Sequence, residues 1–340
     1  MSEENCDGSH RIVSLLPSAT DHVASLGCLS QLVGRSHECD DPPEVTRLPV
    51  CSAARIDIAA SSREINRTVT EILSRALSIF EIDTERLVTL QPTVILTQAQ
   101  CEVCAVSVED VEHALAEWIG ERPQIVSLSP QSLNDVWNDL LRVSQVLGVE
   151  PRGIELVSNL KRRLIELRSN MNAYRQQHEF APPRVACIEW IEPLMTAGNW
   201  VPELVELAGG INVCSRAGVH SPWLRWENLL EADPDLVVVM PCGFDLNRIR
   251  QEIGELQNDP HWWSLRAVRQ GEVYLADGHH YFNRPSAKLV ESAEILTEIF
   301  RCHLLRCHHG KRDTNAVTGA DHPSTHAIRH WERLRADHAE

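Results

Sequence analysis

Glu85-Arg86-Leu87-Val88-Thr89-Leu90-Gln91-Pro92-Thr93-Val94-Ile95-Leu96 has a counterpart 142 residues later, Glu227-Asn228-Leu229-Leu230-Glu231-Ala232-Asp233-Pro234-Asp235-Leu236-Val237-Val238. Each copy reads as a short helix halted by x-Pro, followed by a continuous apolar run of the kind buried on both faces of a parallel sheet. One copy per half of the chain excludes a solenoid, which needs several shorter periods. The duplication predicts two similar α/β lobes, with small-ligand binding expected in a cleft between them.

The flanks repeat the pattern. Arg11–Ser18 and Arg184–Trp190 read as opening strands. Each is followed by a helix, Ala19–Leu26 closed by Gly27 and Trp200–Ala208 closed by Gly209-Gly210, where glycine relieves a left-handed cap. Second strands are expected at Gln31–Arg35 and Ile211–Ser215. Alternating strands and helices argue for parallel sheets with covered faces. Between the lobes, Val157, Leu160, Leu164, Leu167, Met171 and Tyr174 recur at helical spacing, predicting one long helix over 151–178 that Pro182-Pro183 stops. The expected organisation is residues 1–9 disordered, an N-terminal lobe 10–150, a connecting helix 151–180, a C-terminal lobe 181–305 and a tail 306–340.

The tail carries six histidines (His308, His309, His322, His326, His330, His338) and few apolar residues. It is predicted mostly disordered, with a short helix around Trp331. Scattered histidines define no coordination geometry, although adventitious or regulatory metal binding is the sharper alternative. A formal charge of −16 over 340 residues argues against nucleic acid or an anionic membrane surface as partner. No apolar stretch has the length of a membrane span. The start, Met1-Ser2-Glu3-Glu4-Asn5-Cys6-Asp7, lacks the basic-then-apolar pattern of an export signal, and eleven cysteines suit a reducing compartment. A cytoplasmic location is therefore expected, or a periplasmic one if the true start lies elsewhere or the chain is a cleaved mature form.

Five segments carry a resemblance: Leu16-Pro17-Ser18-Ala19-Thr20-Asp21, His37-Glu38-Cys39-Asp40-Asp41-Pro42-Pro43, the stretch 85–96, Glu206-Leu207-Ala208-Gly209-Gly210-Ile211-Asn212 and Tyr281-Phe282-Asn283-Arg284-Pro285. In this order, over residues 10–302, the chain resembles the vitamin B12-binding substrate proteins of ABC importers. These belong to a helical-backbone class that binds cobalamin, haem or iron–siderophores between two lobes. It is similar to a branch marked by Thr97-Gln98-x-x-Cys101-x-x-Cys104 and Pro241-Cys242-Gly243-Phe244, which often lacks an export signal. The resemblance implies an α/β fold of two Rossmann-like lobes, with mainly parallel sheets joined by one long backbone helix. It also implies non-enzymatic binding of a corrinoid such as cobalamin, or a related metal macrocycle, for transport, delivery or sensing. The implied ligand residues lie at strand ends: Pro17, Ser18, His37, Gln98, Cys101, Trp190, Glu192, Trp200, Trp223, Tyr281 and Arg284. A corrin is a broad apolar disc fringed with amides, which suits aromatic faces and a few donors. Trp118, Trp137, Trp262 and Trp263 are expected to pack in helices. Gln98 stands where the importer proteins have an aromatic residue, which bears on ligand identity. Glu85 and Glu206 match the surface glutamates that dock onto an ABC permease; a cytoplasmic protein would instead meet a cytosolic acceptor.

The cysteines admit a second reading. Cys101 and Cys104 have metal-ligand spacing, and Cys39 and His37 are expected on a neighbouring strand-end loop, so a Cys3His site for zinc or iron is conceivable. Direct ligation of cobalt, a redox pair, or plainly buried thiols are the other options. The alternative function is a metal- or thiol-dependent enzyme centred on Cys39, Cys101 and Cys104. No Ser-His-Asp set or phosphate loop supports catalysis, and His279-His280 reads as loop lining.

Overall fold

The computed structural model describes residues 10–75, 78–98, 106–116, 118, 121–309 and 330–334. Two compact units divide the chain, Met1–Leu160 with Arg284–Ala287, and Lys161–Asn283 with Lys288–Glu340.

The first unit holds strands β1 (Ile12–Ser14), β2 (Leu32–Arg35), β3 (Ser52–Ala54), β4 (Phe80–Ile82), β5 (Val94–Gln98) and β6 (Gln124–Leu128). Four of them form a wholly parallel sheet in the order β2-β1-β5-β6, while β3 and β4 pair antiparallel on their own. Every residue of β1 and β5 is buried, so the central strands present no solvent face and read as apolar runs. The opening strand is shorter than expected. Pro17 takes the first turn of the helix Pro17–Ser25, where its missing N–H costs nothing, and this ends the extended segment early.

The second unit carries β7 (Arg184–Trp190), β8 (Met195–Thr196), β9 (Ile211–Asn212), β10 (Leu236–Val239), β11 (Val273–Ala276) and β12 (Trp331–Arg333). The sheet order is β12-β11-β10-β7-β8, with β9 also paired to β7; β7, β9, β10 and β11 run parallel, β8 and β12 antiparallel. The helix expected around Trp331 is therefore a strand, because its backbone finds a ladder on β11. Tail residues 310–329 and 335–340 lie outside the described residues.

The duplication holds to the residue. The helices Thr84–Leu90 and Trp226–Ala232, and the strand starts Val94 and Leu236, all keep the 142-residue offset. Both helices end in a non-glycine residue of left-handed conformation, Gln91 at φ 45° and Asp233 at φ 37°. The proline that follows each of them disfavours continued right-handed helix, and the left-handed residue closes the helix instead. The long helix runs Glu150–Gln177, 28 residues or roughly 42 Å, beginning in the first unit and ending in the second. Val157, Leu160, Leu164 and Met171 are its buried stripe. No helix among the described residues is long and apolar enough to cross a membrane.

The final helix, Leu289–His309, is fastened to the start of β11 by a buried carboxylate. Glu272 accepts hydrogen bonds from Tyr274 Oη (2.8 Å), His303 Nδ1 (2.9 Å) and Arg306 Nε (3.0 Å). His303 is raised to about 9 despite its burial, held charged by Cys307 and Glu272. In the first unit the reverse applies: His22, fully buried, is lowered to about 4 by desolvation, and neither ring nitrogen has a partner.

His22 therefore makes the first unit acid-sensitive. Below about pH 6.5 the unfolded chain takes up a proton that the folded one refuses until about pH 4. Stability should fall as pH drops through this window, by about 3 kcal/mol in all. His22→Leu should flatten that limb of a denaturant-midpoint-versus-pH curve; an unchanged slope would remove His22 as its source.

Candidate functional site

Parallel pairing brings the carboxyl ends of β1, β2 and β5 to one edge of the first sheet, the edge where open α/β sheets place ligands. Beyond β2 the chain runs through Ser36–Asp40 and turns at a cis Asp41–Pro42 bond. Arg35 shapes this segment by donating to the carbonyls of Ser36 (2.9 Å) and Cys39 (3.1 Å). Cys39 Sγ is buried 3.1 Å from Thr20 Oγ1 and 3.2 Å from Ser36 Oγ. Desolvation pushes its thiol up, against the pull of those hydroxyls. His37 turns elsewhere, its Nδ1 3.0 Å from Ser52 Oγ and its ring 5.7 Å from Phe80; burial and Arg35 lower it. The two described members of the proposed metal set are thus held by different neighbours, and Cys39 is a protonated thiol among hydroxyls. Cys101 and Cys104 lie outside the described residues.

Arg284 enters the same edge from far along the chain. It is only 4% exposed, and its Nη2 donates to Asp40 Oδ1 at 2.6 Å. Ser286, two residues on, donates to buried Asp21 at 3.0 Å. Glu38 is raised to about 7 by desolvation, which outweighs the attraction of Arg284. One buried guanidinium thus sits among three carboxyl groups, of which Glu38 changes charge near neutrality. Pro17 and Ser18 form the first turn of the helix after β1, and Gln98 ends β5, buried. Asp40 and Glu38 belong to the quoted His37–Pro43 segment, but nothing local marks either as the neighbour of Arg284.

The second unit gathers rings at the corresponding edge. Trp190 ends β7 half-buried, 5.4 Å from the Phe244 ring, with its Nε1 donating to Glu192 O at 3.1 Å. The Arg248 guanidinium lies over the Phe244 ring, 5.1 Å from its centroid. After β11, Asp277 accepts from the backbone of His279 and His280 (2.9 Å each) and from His280 Nδ1 (2.9 Å), which starts Gly278–Phe282 as a single π-helical turn. Gly278 has no substitute there, since a Cβ would lie 2.6 Å from Met240 O and closer still to Pro241 O. Trp200 is buried and donates to Phe282 O at 2.9 Å, so it supports this turn from beneath. Tyr281 Oη lies 2.9 Å from His330 Nε2. Phe244, Asp277 and His330 were not named as ligand-site residues, although Phe244 sits in the quoted Pro241–Phe244 motif and His330 among the tail histidines. Trp223 is 61% exposed and bridges to Met195, the residue that pairs with Trp190 on β8. Glu85 and Glu206 are exposed, each on a short helix of its own unit. Of the tryptophans expected to pack in helices, Trp137 and Trp262 are buried, Trp118 packs partly buried against the first unit's core from outside any helix, and Trp263 is 46% exposed.

Comparison with known proteins accords with this architecture. The family described as periplasmic binding protein matches residues 12–279. A vitamin B12-binding protein of Vibrio cholerae is 22% identical over 292 residues, covering 84% of this chain and 87% of its own. Among solved structures, a periplasmic heme binding protein from Pseudomonas aeruginosa superposes with a TM-score of 0.64 at 19% identity, over 86% of this chain and 92% of its own. The periplasmic vitamin B12 binding protein of Vibrio cholerae gives 0.59 at 19% identity, over 87% and 98%.

Glu38 supplies a test of the first-unit cluster. Its folded value of about 7 exceeds the ordinary 4.5, so stability should decline as pH rises between those values. Glu38→Gln should stabilise the protein at pH 8 by about 2 kcal/mol and make little difference at pH 4. Equal effects at both pH values in urea titrations would show that Glu38 is solvated.

Proposed function

The chain belongs to the periplasmic binding protein family, and from that premise we propose that it is a non-enzymatic substrate-binding protein of the class for B12, haem and siderophores, with a corrinoid as ligand, cobalamin first. The observation that carries this reading is the half-buried Trp190 ring set against Phe244 at the end of β7. A flat apolar macrocycle needs such a face, and the indole N–H, already bonded to Glu192 O, keeps the ring from turning. Metal or thiol catalysis finds little support in a Cys39 thiol that is buried and pushed up.

Glu85 and Glu206, both exposed, are the docking acids we assign toward an ABC permease. The periplasmic character of the relatives supports a role outside the cytoplasm. The cytoplasmic expectation loses its footing with them, and the cytosolic acceptor goes with it. Sensing has no observation in its favour.

Native mass spectrometry of the reduced protein with cobalamin should reveal one added corrinoid. Trp190→Ala should weaken binding by about 2 kcal/mol, roughly 30-fold, as read by fluorescence or absorbance titration. Binding of haemin with no uptake of cobalamin would overturn the corrinoid assignment, and an unchanged affinity in folded Trp190→Ala would take that ring out of the site.

A further inference from the structure

Among the described residues β12 is the outermost strand of the second sheet, and its three residues are held by more than backbone pairing. The ladder sets Tyr274 opposite Arg333, Leu275 opposite Glu332 and Ala276 opposite Trp331. Asp277 N donates to His330 O at 3.0 Å and Leu334 N to Val273 O at 2.9 Å, which extends the pairing at both ends. Arg250 grips both carboxylate oxygens of Glu332 at 2.7 Å each. Trp331 donates to Glu298 at 2.9 Å and lies against the Tyr274 ring. A slip of one residue would turn all of these to the wrong face, so the register is strongly specified.

That register brings His330 to one place. Its Nε2 lies 2.9 Å from Tyr281 Oη, with the rings 4.5 Å apart. Tyr281 sits on the turn that Asp277 winds and Trp200 supports, at the same sheet edge as Trp190. We propose that His330 is a positioning residue of the second unit's binding site, and that β12 serves to hold it against Tyr281. The inference rests on the reading that this edge binds a macrocycle. A phenol on a turn otherwise samples several rotamers, and each must be given up on binding. An imidazole fixed on a strand removes that freedom beforehand, so the ligand meets a preorganised wall. The histidine-rich tail, on this view, supplies one histidine to the site by strand addition.

Full-length wild type, His330→Ala, Tyr281→Phe and the double variant should be titrated with cobalamin and with haemin. Each single variant should bind about 10-fold more weakly, and the double no more weakly than His330→Ala alone, since the two residues act as a unit. His330→Gln, which keeps a polar group in reach, should recover most of the loss. Glu332→Ala, which loosens the strand without touching His330, should weaken binding in the same direction. Unchanged affinity in His330→Ala, additive losses in the double variant, or no effect of Glu332→Ala would each overturn the proposal. If wild type binds neither macrocycle, the functional reading fails, and hydrogen exchange then decides the positioning role. His330→Ala must raise exchange across residues 278–282 while β10 stays protected; equal protection in both proteins overturns it.

Discussion

The constraint on which the rest depends is the burial of the central strands on both faces. β1, β5, β10 and the middle of β7 have nowhere to put a polar side chain except at their ends. Parallel pairing then aligns those ends, so polar and aromatic groups collect along one edge of each sheet. Arg284, Glu38, His280 and Tyr281 stand in the loops at that edge, while Glu272 and His303 take the opposite end of β11, where three donors compensate the buried carboxylate. In this fold the chemistry is concentrated by exclusion, and the apolar ladder decides where.

Exclusion has a cost where a titratable group is caught inside. His22 and Glu38 both belong to the first unit, and desolvation shifts both toward their neutral forms, the histidine downward and the carboxyl upward. The Glu272 cluster of the second unit behaves differently. Glu272 is surrounded by three donors and stays low, while His303 stays charged, so burial there yields a fixed ion pair. The same physical penalty thus gives a neutral histidine in one unit and a charged one in the other, and the partner decides which.

Local features were legible in the sequence and remote ones were not. The duplicated helix–strand segment could be read because x-Pro and a continuous apolar run are both set within twelve positions, whereas the left-handed Gln91 and Asp233 that close the helices emerge only in the folded chain. The long helix could be read from its apolar stripe. Arg284 was named as a ligand residue, but its pairing with Asp40 spans 244 positions, and no periodicity encodes it. His330 was counted among the tail histidines, but its place beside Tyr281 was missed for a related reason. A three-residue edge strand needs no alternating pattern, because backbone pairing, one ion pair and one indole bond hold it. Trp200 looked like a ligand wall from its place after a strand, yet its indole N–H is spent on Phe282, which only the folded chain reveals.

The same strand has a consequence for the protein as a particle among others. Were β12 absent, β11 would be the last strand of the sheet, four fully buried residues with a row of unpaired amides and carbonyls. Such a margin is a template for self-association. Closing it with Trp331-Glu332-Arg333, half-buried and bearing both charge signs, leaves a short outer margin that a second copy cannot readily extend. A few residues at the far end of the chain thereby bear on its solubility and its resistance to aggregation.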